Sequence, residues 1–208
     1  HDTVSGTGIR SNSVYSLLVD RDGIVWTGIF QMGIDYSLFQ HEMFRLFQPK
    51  CDINFKYLAV RTLEVGESDR FIGARDGLYY IDIERNIYKS YKSPEMRSDM
   101  VLCSCNYNGK YYIGTYGGGI YVFDPSDATL HDLKISSSDE VFTKGQIFSI
   151  AEDYAGNLWI GTSQGLYCYN NGKILYHYTG RNSQLPNDNV YYIFFDSTNR
   201  GWVCTDLG

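Results

Sequence analysis

The stretch DYAGNLWIGTSQGLYCY, residues 153–169, carries Asp153, Gly156, Trp159, Gly161 and Gly165 in close series, with β-prone residues in the intervals. With Gly161 as anchor, equivalent positions are Gly28, Gly73, Gly114 and Cys204, where glycine is replaced. The anchors recur every 40–50 residues or so, a period that marks repeat architectures. Two residues before each anchor stands an aromatic: Trp26, Phe71, Tyr112, Trp159 and Trp202. Eight before it come Asp20, Val65, Asn106, Asp153 and Asp196, and five before it Gly23, Ser68, Gly109, Gly156 and Asn199. At fixed offsets of fourteen and eleven lie mostly apolar pairs: Val14 and Leu17, Ala59 and Thr62, Met100 and Cys103, Ile147 and Ile150, Val190 and Ile193.

Each copy encodes a small antiparallel sheet. In the first, VYSLLVD (14–20) is apolar and β-prone, RDG turns the chain, IVWTGIF (24–30) is strand-like again, and a second glycine-containing turn leads to IDYS. Candidate fourth strands follow at residues 44–47, 87–91, 130–133 and 174–178. Helical repeats share the period, but Tyr, Val, Ile and Gly dominate here and a helical rhythm is nearly absent. A short helical turn within SLFQHEMFRLF (37–47) is the one competing reading. Four short strands per repeat define an all-β fold, a β-propeller of four-stranded antiparallel blades. The expected blades are 12–48, 57–92, 99–134, 145–179 and an incomplete 188–208, so the whole of 1–208 reads as part of a longer propeller. An open array leaves strand edges and an inter-blade face unpaired.

The same columns assign structural roles. An Asp or Asn three residues before a glycine supports a tight turn, the glycine supplying positive φ. The aromatic fills space between blades, and the anchor glycine allows an adjacent blade to approach. On this reading Trp26, Gly28, Phe71, Gly73, Tyr112, Gly114, Trp159, Gly161 and Trp202 are architectural, and no catalytic residue is assigned.

Composition narrows the function classes. Net charge is −6 and the Lys and Arg residues do not cluster, which argues against nucleic acid as a partner. No segment approaches the roughly 20 apolar residues of a membrane-spanning helix. HDTVSGTG at the start lacks the basic and apolar regions of an export signal. Cys51, Cys103, Cys105, Cys168 and Cys204 contain no C-x-x-C pair, and His1, His41, His131 and His177 are isolated, so no metal or cofactor is expected. Cys103 and Cys105 share a strand face in a poor geometry for bridging, and the cysteines read as buried free thiols.

The pattern V-x-x-I-x-x-D-x-x-G-x-L-W-I-G-T-x-x-G-L-x-x-Y resembles the two-component regulator propeller repeat. Copy four carries it through Ile147, Ile150, Asp153, Gly156, Leu158, Trp159, Ile160, Gly161, Thr162, Gly165, Leu166 and Tyr169. Copy one is close, with Val14, Leu17, Asp20, Gly23, Ile24, Trp26, Gly28, Gly33 and Ile34, and LPNDNV (185–190) resembles the family's lead-in to a first strand. Copies two and three are degenerate, and copy five departs at Asn199 and Cys204. The resemblance implies the periplasmic sensor region of a membrane-anchored hybrid two-component system whose kinase and membrane anchor lie elsewhere. It implies two seven-bladed propellers per sensor, and oligosaccharides from polysaccharide breakdown as the signal that switches on glycan-utilisation genes.

Propeller geometry places the turns between strands two and three at the same end as the inter-blade connections, with the D-x-x-G turns opposite. The first set varies: IFQM, ARD, TYGG, TSQ and TDL. Gln31, Arg75, Asp76, Tyr116, Gln164 and Asp206 offer planar polar groups and a ring suited to sugar hydroxyls and apolar sugar faces. A competing class is a scaffold that self-associates through further blades or as a sensor dimer. The enzymatic class fares worse. The sialidase Asp-box needs Asp two residues before Gly, where Arg21 and Tyr154 stand, and GTYGGG (114–119) lacks the Lys-Ser/Thr and helix of a phosphate loop.

Overall fold

The computed structural model describes residues 9, 11–38, 45–47, 58–135 and 140–208. They form two compact units, residues 1–95 with 99–101, and residues 96–98 with 102–208. Unit 1 holds two sheets. The first has the order β1 (Val14–Val19), β2 (Ile24–Ile29), β3 (Gly33–Leu38), β4 (Arg45–Leu46), and the second β5 (Val60–Val65), β6 (Asp69–Ala74), β7 (Gly77–Asp82), β8 (Ile87–Tyr91). Unit 2 holds β9 (Val101–Tyr107), β10 (Lys110–Thr115), β11 (Ile120–Asp124), β12 (Thr129–Asp132), then a single-turn helix α1 (Val141–Lys144). A four-stranded sheet of β13 (Ile147–Glu152), β14 (Leu158–Thr162), β15 (Gly165–Asn170) and β16 (Lys173–Tyr178) follows, and last the pair β17 (Val190–Phe195) and β18 (Gly201–Thr205). Neighbouring strands whose register is established run antiparallel, and every four-stranded sheet follows chain order, as propeller blades do. The helical alternative for 37–47 falls largely outside the described residues, as do Cys51, His1 and His41. Helix α1, by contrast, has no counterpart in the sequence reading. It buries Val141 and Phe142 against Tyr167, whose ring meets that of Phe142 edge-on at 5.0 Å.

The D-x-x-G turns are three-residue loops closed by a residue in the left-handed region: Gly23 at φ 75°, Gly156 at 76° and Asn199 at 61°. Asp20 Oδ1 accepts the backbone N–H groups of Asp22 and Ile24, and Asp153 Oδ1 those of Ala155 and Asn157. The second carboxylate oxygen accepts the indole N–H of the aromatic six residues on, at 2.8 Å for Asp20–Trp26, 2.8 Å for Asp153–Trp159 and 3.1 Å for Asp196–Trp202. One side chain thus fixes the turn and orients the ring, which for Trp26 and Trp159 packs on the next sheet.

Copies two and three depart from this plan, and the fixed offsets misplace their first strands. Copy two turns tightly, Gly66 N–H donating to Asp69 O at 3.0 Å, and copy three turns through Asn108 and Gly109, both at positive φ. These hairpins are one residue shorter, so Ala59 and Thr62, and Met100 and Cys103, are each one position out of register. Val60 and Leu63, and Val101, are the residues buried between sheets, while Thr62 pairs with Gly73 and Cys103 lies beside Gly114.

The anchor glycines behave as their spacing implies. A Cβ on Gly28 would lie 3.0 Å from Val60 Cγ1, on Gly73 2.4 Å from Val101 Cγ1, on Gly114 2.6 Å from Ile147 Cγ2, and on Gly161 2.7 Å from Val190 O. Within each unit the missing side chain, at Gly28, Gly114 and Gly161, admits the first strand of the sheet that follows. Between the sheets of unit 1 lies a core of Trp26, Ile34, Val60, Leu63, Ile72 and Tyr79, and unit 2 is centred on Tyr112, Phe142, Ile147, Leu158, Ile160 and Tyr167. Among the described residues, Val14, Leu17 and Val19 of the first sheet and Tyr192, Phe194 and Trp202 of the last pair are exposed. Trp202 is 57% exposed where Trp26 is 4% exposed. No described sheet covers the Trp202 ring, so an inter-blade packing role for it remains an expectation from its place in the repeat. Cys204 is exposed, whereas Cys168 is buried and Cys103 and Cys105 are half-buried.

Candidate recognition rim

At the end of each sheet opposite the Asp-supported turns, β2 and its equivalents give way to the third strand through short turns. In unit 1, Gln31 occupies the β2–β3 turn with φ 55° and is exposed. Arg75 and Asp76 form the β6–β7 turn, also exposed, with Arg75 N–H donating to Ala59 O at 3.0 Å. The Asp76 carboxylate accepts the Tyr79 hydroxyl at 3.1 Å and pairs with Lys92 Nζ at 3.3 Å, so it is engaged on its own sheet. Lys92 also lies 5.2 Å above the Tyr79 ring.

In unit 2, a threonine directly after the anchor braces the turn. Thr115 Oγ1 donates to Gly119 O at 2.8 Å and accepts Gly118 N–H at 3.1 Å. Thr162 Oγ1 donates to Gly165 O and accepts Gln164 N–H, and Thr205 Oγ1 donates to Gly208 O. Tyr116 projects from the glycine-rich turn, 48% exposed, and pairs as a bridge with Gln146. The N–H groups of Gly117 and Gly119 both donate to Gly145 O, so this loop spends its donors on the protein and offers no anion cradle. Gln164 is exposed, and its carbonyl accepts a hydrogen bond at 2.8 Å from Nε2 of His177, whose ring stacks on Tyr167 at 3.8 Å.

Asp206 is the candidate with the most developed surroundings. Its carboxylate accepts the Asn189 amide at 2.6 Å and the Tyr191 hydroxyl, and the latter bond pushes the Tyr191 phenol above its ordinary value. Tyr191 in turn packs on Phe148 with ring centroids 4.8 Å apart. The structure thus joins Asp206 to Asn189, Tyr191 and Phe148, and leaves Gln31, Arg75, Asp76, Tyr116 and Gln164 each on the turn of its own sheet. Tyr191 and Phe148 escaped the sequence reading because it drew its rim candidates from the turns between second and third strands, and these two lie on first strands. The signal was the residue directly after the first apolar position of each first strand.

At the opposite end of unit 2 an open crevice of about 750 Å³ runs past Glu152, Asp153, Tyr154, Ile193 and Phe195. Burial opposes the charge of Asp153 most strongly, but the Trp159 indole, the Asn157 side chain and the turn N–H groups outweigh it and hold the carboxyl below its ordinary value. A carboxylate so saturated supports the fold. Among the described residues no group of His, Cys, Asp and Glu is placed to hold a metal ion.

This geometry defines a β-propeller protein of four-stranded antiparallel blades. The model of the two component regulator propeller matches residues 8–31 and 142–164, which are copies one and four. Among solved structures the chain is similar to the extracellular domain of the hybrid two component system BT3049 from B. thetaiotaomicron, at 25% identity and a TM-score of 0.76 over 93% of this chain. It spans only 26% of that protein's length. PorZ, a surface component of the type-IX secretion system of Porphyromonas gingivalis, matches 93% of this chain and 31% of its own at 15% identity and a TM-score of 0.72. The Cps50 (Swd1) β-propeller domain of Myceliophteria thermophila matches 95% of this chain and 64% of its own at 12% identity and 0.69, and these two similarities speak to fold alone. A search of curated proteins found no match. Two segments of the chain therefore match the two component regulator propeller model, and the chain as a whole is similar to part of an extracellular domain of a hybrid two component system.

Proposed function

We propose that the chain is the ligand-recognition part of a periplasmic sensor in a hybrid two-component system, and that it detects oligosaccharides released from polysaccharides to regulate glycan-utilisation genes. The observation that carries this reading is the 25% identity over 93% of the chain to an extracellular domain of such a system. The variable rim supports it, because exposed planar polar groups and rings on rigid sheet ends suit sugar hydroxyls and apolar sugar faces. The chain recognises and does not catalyse, and the kinase, the membrane anchor and the remaining blades of a seven-bladed propeller belong to other parts of the protein. Calorimetry against a panel of oligosaccharides tests the reading: micromolar binding supports it.

The uncovered faces of the first and last sheets favour a second reading, a scaffold that associates through its blades. Silence across the panel, together with self-association on a sizing column, selects that alternative. Release of reducing ends from the same panel selects a glycan-active enzyme instead.

A further inference from the structure

The first strands of the repeat share a bulge that brings buried residues three apart, such as Val190 and Ile193, onto one face, and the residue it leaves unpaired is free to serve another purpose. In all four copies with an established register between first and second strands, that register shifts by one residue near the rim end: between Val14 and Ser16, Val60 and Thr62, Ile147 and Ser149, and Val190 and Tyr192. Each shift is a β-bulge, which leaves one residue unpaired and re-aims its side chain. The bulged residues are Tyr15, Arg61, Phe148 and Tyr191, every one a large planar group. Tyr15 is 51% and Tyr191 44% exposed, so burial does not account for the choice of residue. A bulge serving only to twist the strand would accept any side chain.

Planar groups of consecutive copies meet. In unit 1 the Arg61 guanidinium lies 5.4 Å above the Tyr15 ring, which also meets Phe30 edge-on at 5.1 Å. In unit 2 Phe148 and Tyr191 pack at 4.8 Å with their planes 48° apart, and Asp206 and Asn189 stand beside Tyr191. The register puts these bulges at the rim end, since Val190 faces Thr205, the residue before Asp206.

We propose that Phe148 and Tyr191, with the Asp206 carboxylate and the Asn189 amide, form a binding surface for a neutral saccharide at the rim of unit 2. The inference rests on the oligosaccharide-sensing reading above and gives it a location. The two rings supply an apolar platform for the C–H face of a pyranose, and Asp206, exposed and with lone pairs to spare, accepts hydroxyl protons. Its negative charge disfavours uronic acids and other anionic sugars.

The test is calorimetric titration of the 208-residue chain with cellopentaose, xylopentaose, maltopentaose, mannopentaose and tetragalacturonate. A neutral member should bind. Phe148→Leu and Tyr191→Leu should each weaken that binding about tenfold and Tyr191→Phe about threefold, with unchanged thermal midpoints. Tyr154→Leu, which removes a more exposed ring at the opposite end of the sheet, should leave affinity unaltered. Equal binding by wild type and the Phe148→Leu/Tyr191→Leu double variant refutes the location while the sensing reading stands. Preference for tetragalacturonate refutes the neutral class, and silence of the wild type toward all five sugars refutes both the sensing reading and this surface.

Discussion

At the scale of the residue, a single carboxylate does two jobs in copies one, four and five. Asp153 closes its turn through one oxygen and holds the Trp159 indole through the other. Removing it leaves turn N–H groups and a half-buried indole without their acceptor, so Asp153→Ala should cost about 2–3 kcal/mol in urea unfolding. The pH dependence follows with a definite sign. Because the native carboxyl is held below its ordinary value, it adds stability that is complete above the unfolded pKa of about 3.9 and is lost as pH falls through the lowered native value. The difference in unfolding free energy between wild type and Asp153→Asn should therefore shrink as pH drops below about 4, and a constant difference would show that the ionised form is not what the turn prefers. Gly161 offers a second test. An added methyl would meet Val190 O at 2.7 Å, a backbone atom that cannot swing aside, so Gly161→Ala should destabilise by about 1–3 kcal/mol.

At the scale of the element, the hairpin between first and second strands sets which residues face the next sheet. A three-residue loop with Asp and a left-handed closing residue gives one register, and the two-residue turns of copies two and three shift it by one. Side chains alternate with period two along a strand, so a one-residue error moves the apparent core residue to the other face. Val60, buried completely, was hidden behind Ala59 in the sequence columns for this reason. The sheets of unit 2 are also tied by a polar contact: Ser149 Oγ, opposite the anchor glycine, accepts the Ile193 N–H at 3.1 Å in a buried setting. Ser149→Ala leaves that N–H unsatisfied and should cost about 1–3 kcal/mol, measurable as faster amide exchange at Ile193 and a lower urea midpoint.

At the scale of the molecule, equivalent residues differ in worth according to whether another sheet covers them. Trp26 is buried in the core of unit 1 and Trp202 lies open at the last sheet of unit 2. Trp26→Ala should cost about 3–5 kcal/mol, as buried tryptophans do. Trp202→Ala should stay within about 0.5 kcal/mol, and iodide should quench Trp202 fluorescence while sparing Trp26. Comparable losses for the two variants would mean that the open face is covered in solution.

The repeat itself was legible without coordinates, since the spacing of Gly28, Gly73, Gly114 and Gly161 and of their aromatics is a local record of where sheets must approach. By itself the sequence determined the all-β repeat, its strand order and the turn chemistry of Asp20, Asp153 and Asp196, because these depend on neighbours a few residues apart. The candidate rim was legible only in part: Asp206 could be named from its turn, but Asn189, Tyr191 and Phe148 could not be joined to it. That grouping, the bulge that turns Tyr191 and Phe148 toward each other, and the contrast between Trp26 and Trp202 were decided by tertiary structure. Each depends on strand register and on which sheet lies against which, and the Phe148–Tyr191 contact links residues more than forty positions apart.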